Sequence, residues 1–144
     1  MFEQLVKDFM DPKKVLTLPP EATVSEAAVL MAKKKTGAVM VVVEERLVGI
    51  FTERDALFRV VARELDPVTT RLSEVMTADP KTVGPKMTYG FALVMMQENG
   101  FRHAPVVENG KPIGIVGSRN AFDPELEEFA AEAHRREYIR QSYK

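Results

Sequence analysis

Apolar and polar positions follow two rhythms along this chain, and the same succession of rhythms comes twice. A short extended piece, 15-VLTL-18, is closed off by Pro20. Ala27, Ala28, Met31 and Ala32 then recur at helical spacing. Thr23 is placed to cap that helix, with Glu26 three residues on, as a capping box requires. Two apolar runs follow, 38-AVMVVV-43 and 47-LVGIF-51. They have the length of strands, and their near-continuous apolar character predicts a sheet covered on both faces. A second helix is predicted from about Glu53 to Glu64.

The second pass reads 82-TVG-84, Pro85, a helix carrying Ala92, Leu93, Met95 and Met96 after Thr88, then 104-APVV-107 and 112-PIGIV-116. Between those strands Asn109-Gly110 is a strong hairpin signal, since both residues tolerate positive φ. A shift of 65 residues lays one pass on the other. Thr17 meets Thr82, Thr23 meets Thr88, Ala27 meets Ala92, Met31 meets Met96 and Gly49-Ile50 meets Gly114-Ile115. Two copies are too few for a stacked solenoid. They are expected to face each other about a pseudo-twofold axis and share a buried face.

The copies differ at one junction. 49-GIFTERDAL-57 has Thr52 and Asp55 where 114-GIVGSRNAF-122 has Gly117 and Asn120. At the start of a helix a hydroxyl and a carboxylate three residues apart can cap the free amides. They can also meet a bound sugar or phosphate, because the amides and the helix dipole there favour an anion and a carboxylate accepts from paired ribose hydroxyls. Both uses stay open on the residues alone. Arg54 and Arg119 are read as solvent-facing or salt-bridge residues.

Composition narrows the classes. Charge is balanced, 20 basic against 21 acidic residues, which gives no case for nucleic acid as partner. There is no cysteine, hence no disulfide framework, thiol nucleophile or thiolate metal site, and two histidines give no case for a metal centre. The longest apolar run, 37-GAVMVVV-43, is far below the roughly 20 residues that cross a bilayer. The first ten residues do not read as a secretory signal, so a cytoplasmic location is expected. No nucleophile-with-base pattern, HExxH, phosphate loop or G-x-G-x-x-G occurs, so the expectation is a protein that is not an enzyme.

The doubled pattern resembles the CBS domain, as a tandem pair or Bateman module. The residues that carry the resemblance are 37-GAVMVVV-43, the junction Gly49 to Asp55 and the linker 73-SEVMT-77, then 101-FRHAPVV-107 and Gly114-Ile115 in the second copy. The resemblance implies an α/β fold of two β-α-β-β-α repeats, 5–66 and 67–122, forming one module, with 123–144 as a C-terminal helical extension. It implies a regulatory, non-catalytic role with no obligatory cofactor and an adenosine nucleotide (AMP, ADP or ATP) held between the repeats. In such pairs Thr52 and Asp55 contact phosphate and ribose. The facing repeat would supply Thr82, Val83, Arg102, His103, Ala104 and Pro105 around base and phosphates. For Arg102 and His103 a solvated strand end is the plainer alternative. The twin cleft, joining Gly117 and Asn120 to Gly37 and Ala38, lacks these groups, so one ligand per chain is expected.

Such modules pair through their helices, so a homodimer is expected, with Ala27, Ala28, Met31 and their counterparts as the apolar faces. Asp123-Pro124 reads as the start of a separate helix, with Glu125, Glu127 and Glu128 in its first turns and Arg135, Arg136, Arg140 and Lys144 towards its end. The output would pass to an unidentified regulated protein. The competing reading is a ligand-free dimerisation scaffold.

Overall fold

The computed structural model describes residues 2–10, 15–118 and 132–137. Arg119, Asn120 and the predicted helix start at Asp123-Pro124 lie outside them. The described part of the extension, 132–137, is helical, with Arg136 bonded to Glu132 at 2.7 Å.

Repeat one starts with strand β1 (Thr17–Leu18) and helix α1 (Val24–Lys34). The Thr23 hydroxyl accepts from the Glu26 amide at 3.2 Å, and the Glu26 carboxylate accepts from the Thr23 amide at 3.3 Å. The helix stops at Lys35, which is forced into the left-handed region at φ 53°. Strands β2 (Ala38–Val43) and β3 (Arg46–Thr52) form the hairpin, with β1 parallel to β2. Val39 and Val41 lie in the main core of the repeat, while Ala38 packs towards the other repeat. Both faces of the strand are thus covered, as its apolar run predicts.

Helix α2 (Glu53–Asp55) continues directly into a π-helix over Ala56–Val61, with the Ala62 amide reaching back five residues to the Leu57 carbonyl. After helix α3 (Leu72–Val75), strand β4 (Thr77–Ala78) adds to β3 and completes a four-stranded sheet in the order β1-β2-β3-β4. Repeat two has helix α4 (Tyr89–Asn99) and the hairpin of β5 (His103–Glu108) and β6 (Lys111–Gly117). Its first strand is reduced to a single parallel bridge, Val83 to Val106. That bridge keeps the register of repeat one, where Leu18 faces Val41.

Each repeat is completed by a segment from beyond its own strands. In repeat one α3 plugs the core with Leu72 and Val75. In repeat two the same place is taken by the turn at Val6–Asp8, whose Val6 is fully buried beside Val83, Tyr89 and Ala92. The Val6 amide bonds the Met87 carbonyl, and Tyr89 and Gly90 donate to Gln4 and Phe2. Chain order would count this segment with the first repeat; its packing belongs to the second. The paired glycines also find their reason here. A methyl on Gly114 would meet the Met10 sulfur at 2.7 Å, and one on Gly49 would collide with the Met76 sulfur.

Of the apolar stripe expected to lie at a subunit interface, Ala28 is exposed, while the rest is placed differently. Ala27 and Met31 point into the core of repeat one, and Ala92 and Met96 into that of repeat two. A helix carrying two apolar stripes spends the stronger one on its own sheet. The exposed faces carry Val29 on α1 and its repeat mate Val94, with Phe91, on α4.

Candidate functional site

The two repeats meet sheet to sheet. Ala38, Ile50 and Ile115 form a small apolar contact cluster, and the hairpin tips touch beside it. There the Leu47 amide donates to the Gly110 carbonyl at 3.1 Å, and Lys111 pairs with Glu45 at 2.9 Å. The reciprocal amide bond is impossible, because Pro112 stands at the place of Leu47 and has no N–H. Lys111 holds the Glu45 carboxyl below its usual value of 4.5, first through the hydrogen bond and then through its charge.

Away from this contact the repeats part around a cleft of about 920 Å³. One wall is the β3–α2 junction and the π-helix, with Thr52, Arg54, Asp55 and Arg59. The facing wall is the turn from α4 into β5, with Phe101, Arg102 and His103, and the floor includes Thr77, Asp79 and Lys81. The volume is within the range of small-ligand pockets.

The junction owes its shape to a second capping box. The Asp55 carboxylate accepts from the Thr52 amide at 3.0 Å and from the Thr52 hydroxyl at 3.2 Å. The Asp55 amide returns a bond to that hydroxyl at 3.4 Å. Burial would leave an unpaired carboxylate costly, and Asp55, only 7% exposed, is satisfied on all sides. Thr77 and Arg59 complete its surroundings, each at 3.5 Å.

Of the residues singled out in the sequence, Thr52, Asp55, Arg102 and His103 line one cleft, with two on each wall. The other four are placed elsewhere. Thr82 is exposed, Val83 and Ala104 lie in the core of repeat two, and Pro105 is buried, its carbonyl accepting from the Val83 amide. At the twin junction the Tyr89 hydroxyl bonds the Gly117 carbonyl at 2.8 Å, and the Glu53 carboxylate is packed directly on Gly37.

Sequence reasoning missed Arg59, Thr77 and Lys81 in the cleft: Arg59 and Lys81 lie outside the motifs, and Thr77 enters only as the end of the linker 73-SEVMT-77. Arg54, read as a solvent-facing or salt-bridge residue, is exposed. Its guanidinium also lies over the Phe58 ring, 5.3 Å from its centre, and donates to the Gly100 carbonyl at 3.2 Å. Gly100 sits at the end of α4 with φ 72°, so Arg54 ties the helix of one repeat to the turn of the other. Among the described residues no group of three metal-ligating side chains occurs, and no helix is long and apolar enough to cross a membrane.

The family model of the CBS domain matches residues 6–62 and again 72–123. The chain is a member of the CBS domain family. Its tandem CBS pair is similar to the CBS domain-containing protein CBSCBSPB1 of Arabidopsis thaliana, 38% identical over 104 residues, which are 72% of this chain and 19% of that protein. The chain therefore spans about a fifth of the length of that relative. Among solved structures it is similar to the CBS domain protein PAE2072 of Pyrobaculum aerophilum, complexed with AMP, at TM-score 0.73 and 27% identity over 81% of this chain and 88% of that one. It is also similar to the CBS domain pair of protein MJ0100, in complex with 5-methylthioadenosine and S-adenosyl-L-methionine, at TM-score 0.74 and 26% identity over 82% and 96%. These are CBS pairs that take adenosine-containing ligands, and the mixed α/β fold described above is theirs.

Proposed function

We propose that this CBS pair is a regulatory sensor that holds one adenosine nucleotide (AMP, ADP or ATP) per chain in the cleft between its repeats. The observation that carries the reading is the placement of a buried carboxylate, Asp55, on one wall and the Arg102-His103 pair on the other. The carboxylate suits the paired hydroxyls of ribose. A guanidinium beside an imidazole suits the phosphates. AMP and S-adenosyl ligands in similar pairs support the same ligand class.

The hairpin tips, joined by Leu47–Gly110 and Glu45–Lys111, are the natural hinge, and Arg54–Gly100 bridges the opposite side. A nucleotide touching both walls has a higher affinity for one angle between the repeats and shifts the population towards it. The protein itself is non-catalytic and cytoplasmic in this reading. It works as a homodimer through the exposed Val29, Phe91 and Val94 faces and passes the change to a regulated protein. The test is native mass spectrometry of freshly purified protein, followed by thermal shift against adenosine, guanosine and cytidine nucleotides. One adenosine ligand per chain and a selective rise in melting temperature are expected.

A second reading is favoured by one specific observation. Thr52 and Asp55 already form a complete capping box without any ligand. A dimerisation scaffold would need nothing more of them. A melting temperature unmoved by millimolar adenosine ligands, with a dimer mass by light scattering, would select it.

A further inference from the structure

The Asp55 carboxylate carries four donors, and they divide by oxygen. Oδ2 takes the amide and the hydroxyl of Thr52, at 3.0 and 3.2 Å. Oδ1 takes the Thr77 hydroxyl at 3.5 Å and faces Arg59 Nε at 3.5 Å. A carboxylate offers about four lone-pair positions. None is left over for the two hydroxyls of a ribose, so binding has to displace a donor. The Oδ2 bonds are the shorter, and they fix the start of the helix. The Oδ1 contacts sit at the outer limit of hydrogen bonding and are the ones to give way.

Both groups on Oδ1 are tied to the segment that joins the repeats. Thr77 is in β4 itself. Arg59 Nη1 donates to the carbonyls of Met76 at 2.9 Å and Val75 at 3.4 Å. Strand β4 is otherwise held to β3 by two facing pairs, Gly49 with Ala78 and Ile50 with Thr77, with the Asp79 amide donating to the Val48 carbonyl at 3.1 Å just beyond it. It leads straight into Asp79, Pro80 and Lys81 on the cleft floor.

Resting on the reading of Asp55 as the ribose acceptor, we propose that Arg59 is a positioning residue which, together with Thr77, couples occupancy of the cleft to the seating of residues 75–78. A ligand that takes Oδ1 releases Thr77 and half of the Arg59 bridge, and the linker strand loosens. The signal thus starts in the connection between the repeats.

AMP is the probe. Thr77→Val and Arg59→Met each remove one competing donor, and each is expected to tighten AMP binding by about two- to tenfold, the range of one modest hydrogen bond. A residue that only supports the fold does not give tighter binding when removed. Hydrogen exchange at amides 76–78 is expected to speed up in the wild type on adding AMP, and to be fast already in ligand-free Arg59→Met. If AMP binds but both variants weaken it, or exchange at 76–78 stays unchanged on binding, the coupling is overturned while the ligand reading stands. If AMP binds to none of the proteins, the ligand reading falls. Ligand-free Arg59→Met then decides the bridge alone: unchanged exchange at 76–78 overturns it.

Discussion

Replacing Asp55 by alanine removes two roles held by one carboxylate, and the structure lets them be weighed separately. The first is local. The cap on α2 loses both bonds to Oδ2, and the Thr52 amide is left without an acceptor. Loss of a helix cap costs about 0.5–2 kcal/mol, so the urea midpoint should drop accordingly. The second is recognition. Hydrogen bonds to a charged acceptor contribute roughly 1.5–3 kcal/mol each. Two ribose hydroxyls replace two long contacts from Thr77 and Arg59, so the net gain lies near that of one such bond. AMP affinity should therefore fall about ten- to a hundredfold. Thr52→Ala is the comparison, because it breaks the same cap and keeps the carboxylate. It should lose similar stability and much less affinity. Calorimetry at a temperature where all three proteins are folded, beside urea denaturation, gives both quantities. If Asp55→Ala loses stability yet binds AMP within twofold of the wild type, the carboxylate is a helix cap and nothing more.

Arg102→Ala should weaken ATP more than adenosine, with a smaller salt dependence left behind, since its guanidinium meets phosphate and not the nucleoside. Lys35→Gly should raise stability by about 0.5–1 kcal/mol in chemical denaturation, because the relief of left-handed strain at φ 53° exceeds the entropy cost of glycine. At the hairpin tips Glu45 has its folded pKa lowered by Lys111. Its contribution is thus present above 4.5 and lost as pH falls through the lower folded value. The difference in melting temperature between wild type and Lys111→Met should shrink on acidification from pH 7 to below about 4, and a difference that grew would contradict the pairing.

Much of this architecture was legible because it rests on local chemistry. Asn109-Gly110 takes up positive φ at both positions, 55° and 80°, as the hairpin signal required. The register of 65 residues survives down to the single bridge of Val83 with Val106. Other features have no local signature. Glu44 and Glu45 adopt the same positive φ with no asparagine or glycine to announce it. The change from α to π winding after Asp55 concerns which carbonyl each amide reaches, and apolar spacing does not record that. Of the cleft, the motif supplied one residue pair on each wall. Arg59 and Thr77 stayed hidden because their importance comes from β4 folding back beside β3. Ala104 and Pro105 illustrate the reverse: they follow Arg102 and His103 directly along the chain, but β5 is covered on both faces from Ala104 to Val106, so both are buried.

The way residues 5–10 plug the far repeat has a consequence for how the chain comes into being. On the ribosome, the first repeat becomes complete only when Leu72 and Val75 emerge. Val6, made about a hundred residues before Val106, has to remain unburied until Val106 and Val116 have been added. Synthesis in this order leaves an apolar segment waiting, and closing it costs the entropy of a loop about a hundred residues long. The second repeat can finish only by reaching back to the segment that precedes the first. Its assembly is therefore the slow, late event, and a substitution at Val6 would act on the repeat farther from it in sequence.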